Sequence, residues 1–350
     1  MIVPSVLLMF FISCGIIVPN DYDFLSNRKV SDKLIYAEAV SSSGNFQDSF
    51  EKDSYLGKLS ESKLGDLLYQ IISGDTRRFY IKEGKNRIHI WEGRDDKPEL
   101  HELDKSYAFG LVIGQSKDNI YFYNSSKRGR DFCVYSLKSK NQKIISLKDL
   151  VIVNVAELAN ENELIVSGVS QKSGLGFYVI NKEGEVIREL KTISLKFDPN
   201  GDPSLFGGNF YTHGNTILYS FNNKSNIFVF NLNGEFLREI KTIDDFSFRD
   251  KSNKNYSSVF DGLYKELIIV DKTIFVRTNI VSTTNKFIVF DKYELLNGKY
   301  IESLKLRFKD LDFNKFSFPI WTLVSDSNAY HLLFGSRYTS GKFVEYKIQF

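Results

Sequence analysis

Thiols are scarce in this chain: Cys14 and Cys133 are the only two among 350 residues, and four histidines are scattered through the rest. That excludes a disulfide framework and leaves no Cys/His cluster of the zinc-binding kind. Charge of one sign is lacking as well. Forty-six Lys and Arg face 43 Asp and Glu, a formal charge of +3, which makes no electrostatic case for nucleic acid or a membrane surface and reads the charges as solvated faces. Contiguous catalytic signatures are missing too, since no Gly-x-Ser-x-Gly, His-Glu-x-x-His, phosphate-loop or dinucleotide fingerprint occurs. This disfavours common hydrolases and metalloproteases, although a site gathered from single residues on separate repeats would leave no such mark.

Aromatic residues are plentiful. Thirty Phe and 19 Tyr, within a hydrophobic share of 42%, supply ample core, and the Phe/Tyr/Ile bias favours strands over helices. The length exceeds that of a usual single domain, which leaves two ordinary domains or one large repeat-built domain.

Residues 1 to 20 carry no charged side chain, and the apolar run Val6 to Ile12 leads into the small residues Ser13-Cys14-Gly15. This pattern predicts an export signal over residues 1–13. An uncut anchor is the competing reading, because Met1 to Val18 approaches the ~20 residues that span a bilayer, but Pro4, Ser13 and Cys14 weigh against it. Phe11-Ile12-Ser13-Cys14 resembles the lipobox of bacterial lipoproteins, with Phe11 where an aliphatic residue is usual and no basic residue ahead of the apolar run. The resemblance implies cleavage before Cys14 and lipidation of its thiol, each acyl chain contributing ~0.8 kcal/mol of membrane attachment per buried CH₂. Residues 14–55 are polar and read as a lipid-anchored tether with one candidate strand around Leu34-Ile35-Tyr36.

Repeats organise residues 56–350. Gly184-Glu185-Val186-Ile187-Arg188-Glu189-Leu190-Lys191-Thr192-Ile193 recurs as Gly234-Glu235-Phe236-Leu237-Arg238-Glu239-Ile240-Lys241-Thr242-Ile243, with seven of ten positions identical at a spacing of 50. A weaker copy runs from Gly298 to Lys305, and a degenerate one ends in Leu147-Lys148. Each follows a short apolar run, and two further runs match near Ile90 and Tyr346. Aligning Ile90, Tyr135, Ile180, Phe230, Phe290 and Tyr346 gives six repeats at intervals of 45, 45, 50, 60 and 56. The runs are short and rich in β-branched and aromatic residues, so they read as strands. Asn181-Lys182-Glu183-Gly184 and Asn231-Leu232-Asn233-Gly234 supply turn chemistry with a glycine free to take positive φ. A four-stranded meander repeated every ~40 to 50 residues is the pattern of a propeller blade. The expected fold is therefore all-β, a six-bladed β-propeller after an N-terminal lipoprotein signal and tether. The last repeat ends after its third strand, and Lys33 to Ala39 is the best candidate to close the ring from the N-terminal side. Leu56 to Ile72 has apolar residues at helical spacing, and reads either as a helix or as the source of the first blade's inner strand.

Units such as Val229 to Ile243 look like those of NHL-type and TolB-like six-bladed propellers, in particular propeller lipoproteins of Gram-negative bacteria with no assigned activity. The resemblance covers about residues 60 to 350 and implies a location in the cell envelope, lipid-anchored at the outer membrane and facing the periplasm. Its motifs identify a fold and transfer no catalytic residue.

Candidate chemistry is sparse. Asp198-Pro199-Asn200-Gly201-Asp202 spaces oxygen ligands as a calcium loop does, yet Pro203 and Asn209 stand where such a loop needs Gly and Glu, so a plain turn is the better reading. Cys133 reads as a buried structural thiol. Tyr211 and His213 fall on or near an inner strand, where His213 is a channel ligand or, more simply, a structural histidine. Trp321 either lines the channel and stacks on a sugar ring or packs in the core. The connections Ser194 to Asn209 and Asp244 to Ser258 are the longest between repeats and carry Phe206, Phe248 and Arg249, the best candidate recognition surface. No metal and no cofactor are expected. The leading functional expectation is a binding or scaffold protein that recognises a protein or glycan through its loop face, with membrane attachment through lipid on Cys14 and no nucleic-acid partner. The alternative is a hydrolase or lyase acting on a carbohydrate or lactone in the central channel.

Overall fold

The computed structural model describes residues 16–17, 27–39, 69–72, 78–83, 87–92, 99–104, 109–124, 130–170, 174–193, 207–221, 226–243, 267–282, 286–308, 321–326, 329–335 and 343–348. Among these there are strands and turns but no helix. Two strands precede the repeats, β1 (Ile16–Ile17) and β2 (Val30–Ala39). Four antiparallel four-stranded sheets follow in chain order. The first holds β3 (Tyr69–Ile72), β4 (Arg78–Glu83), β5 (Arg87–Glu92) and β6 (Glu99–Glu102). The second holds β7 (Phe109–Gln115), β8 (Asn119–Asn124), β9 (Asp131–Ser136) and β10 (Gln142–Ser146). The third holds β11 (Leu150–Glu157), β12 (Glu163–Ser170), β13 (Gly174–Asn181) and β14 (Val186–Ile193), and the fourth β15 (Gly208–His213), β16 (Thr216–Phe221), β17 (Asn226–Asn231) and β18 (Phe236–Lys241).

A fifth meander, β19 (Leu267–Val270), β20 (Thr273–Ser282), β21 (Phe287–Glu294) and β22 (Tyr300–Phe308), and a sixth group, β23 (Trp321–Asp326), β24 (Ala329–Gly335) and β25 (Phe343–Ile348), are joined through β2. This strand pairs parallel with β22, Ile35 opposite Leu306, and antiparallel with β25, Ala39 opposite Tyr346. With β2 on its edge the sixth group also has four strands. First strands of neighbouring sheets lie against one another, β3 on β7, β7 on β11, β11 on β15, and β23 back on β3. The architecture is propeller-like. Of the stretch with helical spacing, Tyr69–Ile72 is a strand paired with Arg78–Glu83, and the part before Tyr69 lies outside the described residues.

The core is a succession of layers between sheets, which explains the near-continuous apolar runs. On β13, Leu175, Phe177 and Val179 pack toward the fourth sheet, while Tyr178 and Ile180 pack toward the second. Both faces of the strand are buried, so the usual alternation of apolar and polar residues disappears. Phe177 is the hub of the layer between sheets three and four, its ring 4.9 Å from Tyr219 and Phe230 and 5.0 Å from Phe228. Burying a side chain of this size stabilises the fold by about 1.5–3 kcal/mol.

The near-copied segments fold into near-copied hairpins. Asn181 Oδ1 accepts from the backbone N–H of Glu183 (3.1 Å) and Glu185 (2.9 Å), and Asn231 Oδ1 from Asn233 (3.1 Å) and Glu235 (2.8 Å). Asn181 Nδ2 donates to Glu185 Oε2 at 3.0 Å and Asn231 Nδ2 to Glu235 Oε2 at 2.6 Å. Gly184 and Gly234 take φ of +86° and +72°, the left-handed conformation that ends the turn. A bulge then leaves Ile187, Leu237 and, in the fifth sheet, Ile301 unpaired and solvent-exposed. Each hairpin also docks on the preceding sheet. A Cβ on Gly184 would stand 2.3 Å from the Ser146 carbonyl oxygen, and one on Gly298 would stand 2.7 Å from Ile240. The repeated arginines complete the interlock: Arg188 donates to the Asn233 carbonyl (2.9 Å) and Arg238 to that of Leu295, each in the next sheet's hairpin. The pairing of Tyr293 with Tyr300 matches that of Ile180 with Val186 and Phe230 with Phe236, so Tyr293 rather than Phe290 is the fifth sheet's equivalent position.

Candidate functional site

Strand direction sorts the loops into two groups. The hairpins joining first to second and third to fourth strands leave one end of the sheets, here the hairpin end. Connections from second to third strands, and from sheet to sheet, leave the other, the connection end. Contacts such as Ala159 N–H to the Leu232 carbonyl (2.8 Å) tie the hairpins of adjacent sheets at a common end.

Of the residues singled out above, Cys14, Phe206, Phe248 and Arg249 lie outside the described residues, as does the Asp198–Asp202 turn. Tyr211 sits in β15, buried among Leu218, Ile227, Val229 and Leu267 in the layer between the fourth and fifth sheets. His213 ends the same strand at the hairpin end, half-buried and paired with Thr216 across a tight turn. Trp321 opens β23 opposite Leu333. The structure thus places Tyr211 and His213 on one strand and Trp321 two sheets away.

Polar groups that are buried join segments distant in the chain, most of them from one sheet to the next. The guanidinium of Arg28, just ahead of β2, makes a bidentate pair with Asp291 on β21, Nε to Oδ1 and Nη2 to Oδ2 both 3.0 Å, with the side chains only 4% and 2% exposed. Ser303 Oγ donates to Asp291 Oδ1 at 2.6 Å and lies 2.7 Å from the Tyr300 hydroxyl, which accepts from Lys29 N–H at 3.1 Å. Burial, and secondarily Asp291, raise the Tyr300 hydroxyl above the ordinary tyrosine range. Between the first and second sheets, the buried His101 ring has Nδ1 2.8 Å from the Tyr135 hydroxyl and Nε2 3.4 Å from Glu99. The hydrogen bond from Lys140 holds Glu99 below the usual carboxylate range. Cys133, fully buried nearby, has its thiol pushed up to about 12 by burial and by Asp104. Between the second and third sheets, Glu157 accepts from Asn119 Nδ2 at 2.7 Å and from the Tyr121 hydroxyl. Between the third and fourth, Asn154 Nδ2 donates to the Gly208 carbonyl at 2.8 Å from a bulge in β11. These groups hold sheets together, and none forms a cluster of three metal-capable side chains among the described residues. The sequence held one signal for them: Asp291 directly follows the apolar run Phe287–Phe290, where a buried carboxylate demands a cation. Nothing marked Arg28 as that cation.

No protein-family model matches the chain, and no curated protein does. Among solved structures, a protein of unknown function from Bacteroides caccae is similar at 13% identity and TM-score 0.41, over 77% of this chain and 90% of that one. A luciferin-regenerating enzyme is similar at 10% identity and TM-score 0.44, over 83% and 94%. Hsv2 of Kluyveromyces lactis is similar at 11% identity and TM-score 0.43, over 76% and 69%. Likeness of this degree carries nothing about activity.

Proposed function

We propose that this chain is a six-bladed β-propeller of the NHL/TolB kind, exported and lipid-anchored through Cys14 in a bacterial cell envelope, and that it acts by binding a protein or glycan rather than by catalysis. The six groups of four strands support the fold reading, and the pairing of β2 with β25 supports ring closure by the segment around Lys33 to Ala39. The observation that carries the binding reading is how the buried polar groups are used. Arg28 with Asp291 ties the segment ahead of β2 to the fifth meander, and His101 with Tyr135, Glu157 with Tyr121 and Asn154 with Gly208 each link one sheet to another. A scaffold so interlocked presents its variable chemistry on the connections, where Phe206, Phe248 and Arg249 offer aromatic area and a planar cation to a partner.

The reading is tested in cells with a photo-crosslinking residue at Phe206 or Phe248 and, as control, at Leu237 on the fourth sheet's outer strand. Specific adducts from the connections alone are expected. Their absence at both positions would reject recognition through these loops. Cys14→Ser is expected to release the chain from membranes, and unchanged attachment would reject the anchor.

A further inference from the structure

The outer strands of the third and fourth sheets carry an arginine at the same point, and the two arginines are paired differently. Arg188 donates through Nη2 to the Asn233 carbonyl of the next hairpin at 2.9 Å and to Glu163 Oε2 of its own sheet at 3.5 Å. In the fourth sheet Thr216 takes the position of Glu163, since Thr216 lies opposite Asn231 as Glu163 lies opposite Asn181. Arg238 therefore keeps the contact with the next hairpin, through the Leu295 carbonyl, but its sheet supplies no carboxylate. Yet it is the more enclosed of the two. Arg188 is exposed, whereas Arg238 is half-buried, its Nε covered and without a hydrogen-bond partner. Burial alone acts on the Arg238 charge, pulling it below the ordinary arginine range, with no carboxylate opposing. The acids around it are otherwise engaged: Glu235 accepts from Asn231 Nδ2, Glu239 from Asn226 Nδ2 and Glu294 from Asn297 Nδ2. A guanidinium drawn out of water without a counter-charge is costly, and an incoming anion relieves that cost.

A second observation lies on the hairpin that Arg238 touches. Gly298 N–H reaches back four residues to the Glu294 carbonyl, where Gly184 and Gly234 reach back three, so this hairpin is one residue longer. Its tip carries Leu296, which at 74% is the most exposed large apolar side chain among the described residues. Arg238 bonds the carbonyl of the peptide that joins Leu295 to Leu296, and the Leu295 N–H donates to the Lys272 carbonyl at 2.7 Å. Lys299 stands where the two preceding hairpins carry Glu185 and Glu235, and Lys272 and Lys299 are both exposed. One hairpin thus brings an apolar tip, a half-buried guanidinium and two exposed lysines to the hairpin end between the fourth and fifth sheets.

We propose that this corner docks an acidic segment of a partner protein, whose carboxylate pairs with Arg238 as Glu163 pairs with Arg188 and whose neighbouring apolar side chain packs on Leu296. Charge complementarity names the occupant. The planar guanidinium matches a carboxylate, Lys272 and Lys299 favour further acids in the same segment, and Leu296 rewards an apolar residue that a bare anion lacks. The corner is at the opposite end from the connections carrying Phe206, Phe248 and Arg249, so it goes beyond the recognition proposed above and is tested apart from it.

The probe is a fluorescent peptide of alternating Glu and Leu, titrated with the whole chain and followed by anisotropy at about 0.05 M salt, where screening is weak. Binding is expected, and Arg238→Gln is expected to weaken it about tenfold or more. Thr216→Glu places a carboxylate where Glu163 stands in the third sheet, so it should occlude Arg238 and weaken binding by about as much, with the melting temperature held or raised. Lys299→Glu should weaken it about threefold and Arg188→Gln, whose carboxylate is already in place, less than about twofold. No binding of the peptide overturns the proposal, as does binding unchanged by Arg238→Gln. Equal binding of a peptide with Gln in place of Glu, or displacement by inorganic phosphate at equal charge, would leave no acidic segment recognised and also overturns it. If the Thr216→Glu chain does not fold, Arg238→Gln and Lys299→Glu decide the matter.

Discussion

Sheets three and four are each built from one contiguous stretch of chain, whereas the last four-stranded group takes its outer strand from residues 30–39, some three hundred positions before its neighbour β25. The two regions are held differently. In the first, stability is local and repeated: an Asn-x-x-Gly-Glu hairpin, a bulge, and an arginine reaching the next hairpin. In the second it depends on long-range contacts, the ladders of β2 with β22 and β25 and the buried Arg28–Asp291 pair with Ser303 and Tyr300 around it. The difference teaches that a repeat can propagate by local chemistry, while joining its ends requires a specific partner to fix the register of a distant segment.

Substitutions can break this comparison in order of size. Arg28→Met leaves the Asp291 carboxylate buried without its cation and is expected to cost about 3–5 kcal/mol in urea unfolding, with much of the loss recovered when Asp291→Leu is added. A cost under 1 kcal/mol would show that β2 is held by its ladder alone. Gly184→Ala forces a side chain into the left-handed region and against a backbone oxygen, so a loss above about 2 kcal/mol is expected. Gly234→Ala meets the movable side chains of Leu158, Val179 and Arg188 rather than backbone and should cost about half as much. Equal costs would mean that the docking of these two hairpins does not differ. Asn181→Ala and Asn231→Ala should each cost about 1 kcal/mol, and nearly equally, because the two hairpins make the same hydrogen bonds.

The smallest effect at neutral pH belongs to Cys133. Its folded thiol is raised to about 12 from 9, so the protonated form favours the fold, and that contribution is fully present below pH 9 and lost as pH rises toward 12. In a Cys14→Ser background, thiol reagents are expected to modify Cys133 no faster than the protein unfolds. Rapid modification at pH 7 would show that the layer between the first and second sheets opens readily.

Much of the fold was legible because strand physics is local. Ile180 and Phe230 fall on third strands as their apolar runs predict, and Gly184 and Gly234 take the positive φ that their turns require. The alignment slipped in the fifth sheet, placing Phe290 where Tyr293 belongs, because apolar runs buried on both faces carry no period to fix register. Site residues were far less legible. Tyr211 was readable as an inner-strand residue, but its packing against Leu267 depends on which sheet comes next in space. Asp291 looked like the end of an apolar run, and its partner lies 263 residues away.

By itself the sequence determined the local units: where strands form, where hairpins turn, and that six similar meanders recur. These follow from side-chain branching, backbone conformational limits and short-range hydrogen bonds, all acting within a few residues. Tertiary structure alone decided that β2 also pairs in parallel with β22 of the fifth group and that Arg28 neutralises Asp291. A charge count averages over positions, and an ion pair or a charged face exists only once the chain has set distant residues side by side.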